Sequence, residues 1–100
     1  MATGIGEGIA VPHARLDVID RPLVLLGVSR EGIPWNAIDD QPAHLVFLIL
    51  TPLDDADTQL EILGTLARGA SRPASRALTE CETPAQMWTQ LQGMLRPQEQ

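Results

Sequence analysis

The sequence contains no lysine and fewer basic than acidic residues, which argues against functions that depend on a positively charged surface. Its seven basic residues are all arginine and stand against 13 acidic residues, so the formal net charge is −6 at pH 7. Nucleic acids and anionic membrane surfaces repel such a chain, and we expect neither as a partner. The charge suits a basic protein partner or serves solubility alone.

Cysteine is nearly absent, and long hydrophobic runs are missing. Cys81 is the single cysteine and cannot form a disulfide within the chain, which favours a reducing compartment. The longest apolar run, residues 45–50, has the length of a buried strand and is too short to insert across a membrane. The first residues lack the basic and apolar regions of a signal peptide. We therefore expect a cytoplasmic protein with one domain, residues 1–100.

Three segments in the first half of the chain have strand patterns. Residues 5–13 alternate between larger and smaller side chains, which predicts an extended segment. Residues 22–30 are rich in Val and Leu and predict a second strand. Residues 44–50 are apolar at both odd- and even-numbered positions, which predicts a central strand covered on both faces. Between these strands, residues 31–42 have the Gly, Pro, Asn and Asp content of a loop.

A helix is predicted over residues 58–68. Asp55 and Asp57 precede it as candidate N-caps, since a carboxylate there accepts hydrogen bonds from free backbone N–H groups. Gly69 is placed to end the helix. The expected buried stripe consists of Leu60, Leu63 and Ala67, widened by Ile62 and Leu66.

The last third of the chain predicts a short helical turn after Pro73 and then a longer helix. Thr83 is the predicted N-cap of that helix, Pro84 its first residue, and Gln86 completes a capping box. Residues 96–100 are expected to fray. Strands followed by helices indicate an α/β or α+β protein with a small sheet covered by helices. The expected buried face of the last helix is Met87, Trp88, Leu91, Met94 and Leu95.

The segment TGIGEGIAVPHAR, residues 3–15, holds the main candidate for chemistry. Pro12 fixes its own φ and biases Val11 towards an extended conformation, so His13 is presented from a defined backbone. The preceding glycines can expose backbone N–H groups, which bind phosphate oxygens. A neutral imidazole nitrogen is a nucleophile, which makes His13 a candidate phosphoryl acceptor. A structural role is the commoner one for a lone histidine, and the glycines lack the ending of a nucleotide-binding P-loop.

The segment TGIGEGIAVPHARL resembles the active-site segment of enzyme IIA domains of the fructose/mannitol type. These domains belong to the bacterial phosphoenolpyruvate-dependent phosphotransferase system, and nitrogen-regulatory IIA proteins are members of the same family. The similarity continues through GIPWNAIDDQPAHLVFLILTP and TQLEILGTLAR and more faintly into the last helix. It implies an α/β fold with a small mixed β-sheet flanked by helices.

The resemblance also implies a function as a phosphocarrier. In this family the histidine that matches His13 accepts a phosphoryl group from the phosphocarrier protein HPr or its nitrogen-branch counterpart. Sugar-type members pass the group to a IIB domain, whereas nitrogen-type members use it to regulate other proteins. No cofactor and no metal are implied. We add an inference of our own, that the backbone amides of Gly6, Glu7, Gly8 and Ile9 receive the phosphoryl oxygens.

Two departures from the family pattern keep a second interpretation open. Family members usually carry a further N-terminal portion with an arginine that assists the phosphohistidine. Without that portion we expect an apolar sheet surface to be uncovered, and a homodimer is the simplest cover. Gln59 stands where the family usually has a second histidine; it can orient His13 by hydrogen bonding but carries no charge. The alternative is a non-catalytic regulatory binding module, or an accessory domain of a longer protein.

The remaining reactive side chains have structural interpretations. Arg15 is expected to be a surface residue rather than a substitute for the assisting arginine. His44 precedes a buried strand, and Cys81 lies in an acidic stretch that does not activate a thiol. Their spacing does not indicate a metal site with His13. Trp35 is either a partner contact or a lid on the core.

Overall fold

The strands form one mixed sheet, and the helices follow them in the chain. The computed structural model of the protein describes residues 4–37 and 39–95. The strands are β1 (Gly4–Gly6), β2 (Ile9–Ala10), β3 (His13–Leu16), β4 (Leu23–Ile33) and β5 (Ala43–Pro52). The helices are α1 (Ala56–Gly69), α2 (Arg72–Thr79) and α3 (Pro84–Met94). The predicted fold class, α/β with a small mixed sheet and flanking helices, is confirmed.

Strand β5 is central in this sheet. It pairs antiparallel with β4 on one side and parallel with β2 and β3 on the other, while β1 pairs antiparallel with β2. Ile9 lies opposite Leu45, and His13 lies opposite Ile49. The partners in both pairs are the same number of residues apart in the sequence, so β2 and β3 follow one continuous line along β5. The line is interrupted at Pro12, which has no N–H to donate, although its carbonyl accepts from Ile49 N at 2.9 Å.

The prediction of one extended segment over residues 5–13 is wrong at its start. Gly6, Glu7 and Gly8 have φ values of +83°, +60° and +78°, and they reverse the chain so that β1 folds back on β2. These left-handed conformations favour glycine, which has no Cβ to clash with the backbone. The same glycines that produced the alternating pattern therefore form a turn between two strands.

The hydrophobic core lies between the sheet and the helices. Leu45, Phe47 and Ile49 alternate along β5 and are at most 1% exposed. They pack in one cluster with Leu66 of α1 and Leu78 of α2. The three β5 side chains lie on one face of the strand, because residues two apart in a strand point to the same side. The two helix residues pack against that face.

The opposite face of the sheet has less cover within the described part of the chain. Leu48 and Leu50 of β5 are half-buried, and their register partners on β4, Leu25 and Leu23, are 52% and 47% exposed. The prediction that residues 44–50 are covered on both faces is therefore wrong, as far as cover by the described residues, 4–37 and 39–95, is concerned. The described residues thus leave an apolar face of the sheet only partly covered.

The helix boundaries follow the predicted caps. The Asp55 carboxylate accepts from Thr58 N at 3.2 Å and begins α1 two residues earlier than predicted. The capping box of Thr83 and Gln86 at the start of α3 is confirmed. The turn predicted after Pro73 is instead an eight-residue helix, α2, capped by Ser71. The expectation for residues 96–100 lies outside the described residues.

Two other expectations about these elements are corrected. Residues 31–33 belong to β4 rather than to a loop, because Gly32, with φ +87°, lets the strand bulge before Ile33 pairs with Ala43. Leu60 and Trp88 are 67% and 62% exposed and do not join the buried faces of α1 and α3. At 100° per residue, Leu60 lies about 120° around the helix from buried Leu66.

No helix within the described residues is long and apolar enough to cross a membrane.

Candidate functional site

His13 is the first residue of β3 and is half-buried. It lies opposite Ile49, so it occupies the same face of the sheet as the hydrophobic core. The backbone before it is fixed: Val11 is 4% exposed, and the Pro12 carbonyl is bonded to Ile49 N. The proline-histidine pair therefore holds the imidazole at the edge of the core.

One hydrogen bond determines the tautomer of the His13 ring. Its Nδ1 lies 2.7 Å from the carbonyl oxygen of Val11. A carbonyl oxygen can only accept, so Nδ1 carries the hydrogen and donates it. In the neutral ring the lone pair available for reaction is then on Nε2. The geometry thus leaves Nε2 as the ring nitrogen of His13 with an available lone pair.

Gln59 of α1 reaches the sheet face that carries His13. The Thr51 hydroxyl donates to Gln59 Oε1 at 3.3 Å. Thr51 follows Ile49 by two residues on β5 and lies opposite Arg15 of β3, so these positions share the face of His13. Because Oε1 already accepts a hydrogen bond, the amide has its NH₂ group left to donate. Arg15 itself is exposed, as the sequence interpretation expected.

The glycine turn, residues 6–9, lies at the other end of β5. Ile9 is opposite Leu45, whereas His13 is opposite Ile49, four residues further along. At roughly 3.3 Å per residue, these positions are about 13 Å apart. The structure therefore does not bring the turn and His13 together.

Backbone groups of the turn are engaged in other contacts. The N–H of Glu7 donates to Asp39 Oδ2 at 3.1 Å. The carbonyl of Gly8 accepts from the N–H groups of His44 and Leu45 at 2.7 and 3.0 Å. The turn thus anchors the loop before β5 and the start of β5.

An acidic cluster, which the sequence interpretation missed, lies where β3 and β5 end. Leu16 and Pro52 line a cavity of about 620 Å³ there together with four aspartates. The signal in the sequence was that each of these strands is followed at once by a segment containing two or more aspartates. The members of this acidic cluster are Asp17, Asp20, Asp54 and Asp55.

His44 and Cys81 do not join His13. His44 Nδ1 donates to the carbonyl of Ser29 at 3.0 Å, near the start of β5. The Cys81 thiol donates to the carbonyl of Ala77 in α2 at 3.2 Å. Within the described ranges, no group of three or more His, Cys, Asp or Glu side chains is arranged to hold a metal ion.

Comparison with known sequences relates the chain to proteins of the phosphotransferase system (PTS). The chain is 46% identical over 66 residues to the PTS system fructose-specific EIIA component of Haloferax volcanii, covering 66% of this chain and 43% of that protein. It is 36% identical over 89 residues to the nitrogen regulatory protein of Escherichia coli, covering 87% of this chain and 55% of that protein. The chain therefore spans about half the length of these relatives.

Solved structures show the same fold. Nitrogen regulatory protein IIA-Ntr from Neisseria meningitidis superposes with a TM-score of 0.78 at 25% identity, covering 95% of this chain and 63% of that chain. IIA mannitol from E. coli superposes with a TM-score of 0.76 at 21% identity, covering 91% of this chain and 65% of that chain, which shows the fold alone. The family described as phosphoenolpyruvate-dependent sugar phosphotransferase system, EIIA 2, matches residues 1–93. This chain belongs to that family.

Proposed function

We propose that the protein is a cytoplasmic phosphohistidine carrier. His13 accepts a phosphoryl group from an HPr-like phosphocarrier protein and passes it to a IIB domain or a regulatory target protein. The observation that carries the proposal is the bond between Nδ1 and the Val11 carbonyl, which leaves the Nε2 lone pair free for attack. Membership of a phosphotransferase family supports it.

In the transfer step, the Nε2 lone pair of His13 attacks phosphorus. The new N–P bond forms as the bond between phosphorus and the donor's leaving group breaks, and the leaving group takes that electron pair. The Nδ1 proton stays on the ring, and the Val11 carbonyl dipole stabilises the positive charge that the ring gains. Positioning and charge stabilisation suffice for such a step, so the proposal needs no metal or cofactor.

Gln59 is the proposed second member of the site. Held by Thr51 through Oε1, its NH₂ group donates to an oxygen of the phosphoryl group. An amide is neutral and stabilises a dianion less than a charged donor does. This residue therefore also favours the competing function, a regulatory module of the same fold that binds partners without transferring phosphate.

Phosphorylation of wild type and three histidine variants tests the proposal. The protein is incubated with phosphoenolpyruvate, enzyme I and a phosphocarrier, and its intact mass is measured. We expect one acid-labile phosphoryl adduct on wild type and on His44→Gln, the matched control, since the chain has two histidines. We expect none on His13→Ala.

An adduct that persists on His13→Ala would overturn the site assignment. The other informative outcome is that wild type gains no adduct either. If circular dichroism then shows the protein folded and the donor is active on a known acceptor, the regulatory binding module explains the result better than the carrier does. His13→Gln is a second control, because glutamine is of similar size and polarity but is not a nucleophile. A folded His13→Gln variant without the adduct shows that the loss is not caused by misfolding.

A further inference from the structure

A second cavity lies far from His13 and is lined by a cluster of arginines. It has a volume of about 240 Å³ and lies where the β1–β2 turn, the start of β5 and α2 meet. Arg30, Arg72 and Arg76 line it and form what we call the arginine cluster. Three of the seven basic residues of an acidic chain thus converge on one cavity. Ser75 of α2 adds a hydroxyl group, whereas the Thr79 hydroxyl, one helical turn further on, already donates to the Ser75 carbonyl at 2.7 Å.

Two of these guanidinium groups have donors to spare. Within the described residues, no hydrogen bond or ion pair uses the Arg76 side chain. Arg30 gives Nη2 to the carbonyl of Cys81 at 3.1 Å, which leaves most of its five N–H groups unused. Unpaired guanidinium donors that face a cavity favour an anionic occupant.

Arg72 is held in place by two carboxylates. Its Nη2 lies 3.1 Å from Asp39 Oδ2, and its Nε lies 3.8 Å from Glu7 Oε2. Arg72 is therefore shared between two carboxylates and adds no free positive charge to the cavity. Glu80 is the other acidic residue of the lining, so with Asp39 counted the charges of the three arginines and the three carboxylates balance. What the cavity offers an anion is the spare N–H donors of Arg30 and Arg76.

We propose that this cavity binds the phosphate group of a small phosphate monoester. Guanidinium groups match phosphate oxygens with paired N–H donors, and the Ser75 hydroxyl can donate to a further oxygen. The volume accommodates a phosphate with a few carbon atoms. Long polyanions are disfavoured because the whole chain carries a charge of −6 and carboxylates flank the cavity.

This site is separate from the proposed phosphoryl acceptor. Gly8 and His44, which line the cavity, lie at the start of β5, whereas His13 lies about 13 Å further along the strand. Occupancy of the cavity therefore does not require His13 to be phosphorylated or present.

An NMR titration of ¹⁵N-labelled protein with glycerol 3-phosphate tests the site. Inorganic phosphate is titrated to distinguish a free phosphate from a monoester, and glycerol and sodium chloride at equal ionic strength are the controls. The protein variants are Arg76→Gln and, as a matched loss of charge outside the cavity, Arg21→Gln, whose exposed side chain pairs with Asp20. His13→Ala separates this site from the proposed transfer function.

We expect saturable shifts at Gly8, Ser75 and Thr79 with glycerol 3-phosphate. Arg76→Gln should weaken binding at least about tenfold, because it removes charge-assisted hydrogen bonds from an exposed, unpaired side chain. Arg21→Gln and His13→Ala should bind as wild type does. Shifts that do not saturate, that centre on His13, or that Arg21→Gln reduces as much as Arg76→Gln does would overturn the proposal. Tighter binding of inorganic phosphate than of the monoester would overturn the ligand assignment.

Discussion

A single hydrogen bond decides which ring nitrogen of His13 has an available lone pair. The sequence made His13 the candidate, because a proline before a histidine fixes the backbone that presents the ring. It did not identify the nitrogen, since that depends on the Val11 carbonyl, which folds back to lie 2.7 Å from Nδ1. The tautomer follows from a contact within two residues, yet no sequence pattern specifies such a contact.

Gln59 provides a prediction at the same scale. Gln59→Ala should slow phosphorylation of the protein by the donor about 2- to 10-fold, since it removes one hydrogen bond to the phosphoryl group worth roughly 0.5–1.5 kcal/mol. Gln90→Ala, an exposed position on α3, should leave the rate unchanged. Quenched-flow measurement of the phosphorylated fraction gives both rates. Equal rates for Gln59→Ala and wild type would remove Gln59 from the site.

Elements with local signals were predictable, and those with long-range causes were not. The Asp55 and Thr83 caps were read correctly because a cap is formed by neighbouring residues. The turn at Glu7 was missed, since its partner Asp39 lies 32 residues away in the chain. The exposure of Trp88 was not predicted. Helix periodicity shows which side of a helix is apolar, but not which residues at the border of that side pack against the rest of the protein.

Two glycines near helix ends predict opposite effects of one substitution. A Cβ at Gly69, the last residue of α1, would clash with the Met94 carbonyl oxygen, whereas a Cβ at Gly93 of α3 would have nothing within 4 Å. Gly93→Ala should raise the free energy of unfolding by about 0.5–1 kcal/mol, as alanine favours helix. Gly69→Ala should lower it by about 1–3 kcal/mol. Urea denaturation measures both; equal effects would mean that α1 and α3 do not meet as described.

The whole molecule presents one apolar face of its sheet that the described residues leave uncovered. Half-buried leucines of β5 lie beside Leu23 and Leu25 of β4, which are about half exposed. Large exposed apolar patches are typical of interaction surfaces. A second copy is the simplest cover, because a two-fold axis places the same patch on both partners.

We therefore predict that the protein forms a dimer through this apolar face of the sheet. Light scattering should show a mass above that of the 10.8 kDa monomer. Leu25→Glu should return the protein to a monomer with its helical circular dichroism preserved, because the substitution places a charge on the face without disturbing the core side. Leu60→Glu, an exposed helix position, is the control. A monomeric wild type would contradict the dimer.

We propose that His13 carries the phosphoryl group on Nε2. The most direct measurement is long-range ¹H–¹⁵N NMR of the phosphorylated protein with ¹⁵N-labelled histidine, which identifies the ring nitrogen bonded to phosphorus. We expect phosphorus coupling to Nε2 of His13, with Nδ1 still protonated and bonded to the Val11 carbonyl. A phosphorus coupling to Nδ1, or to a nitrogen of His44, would contradict it.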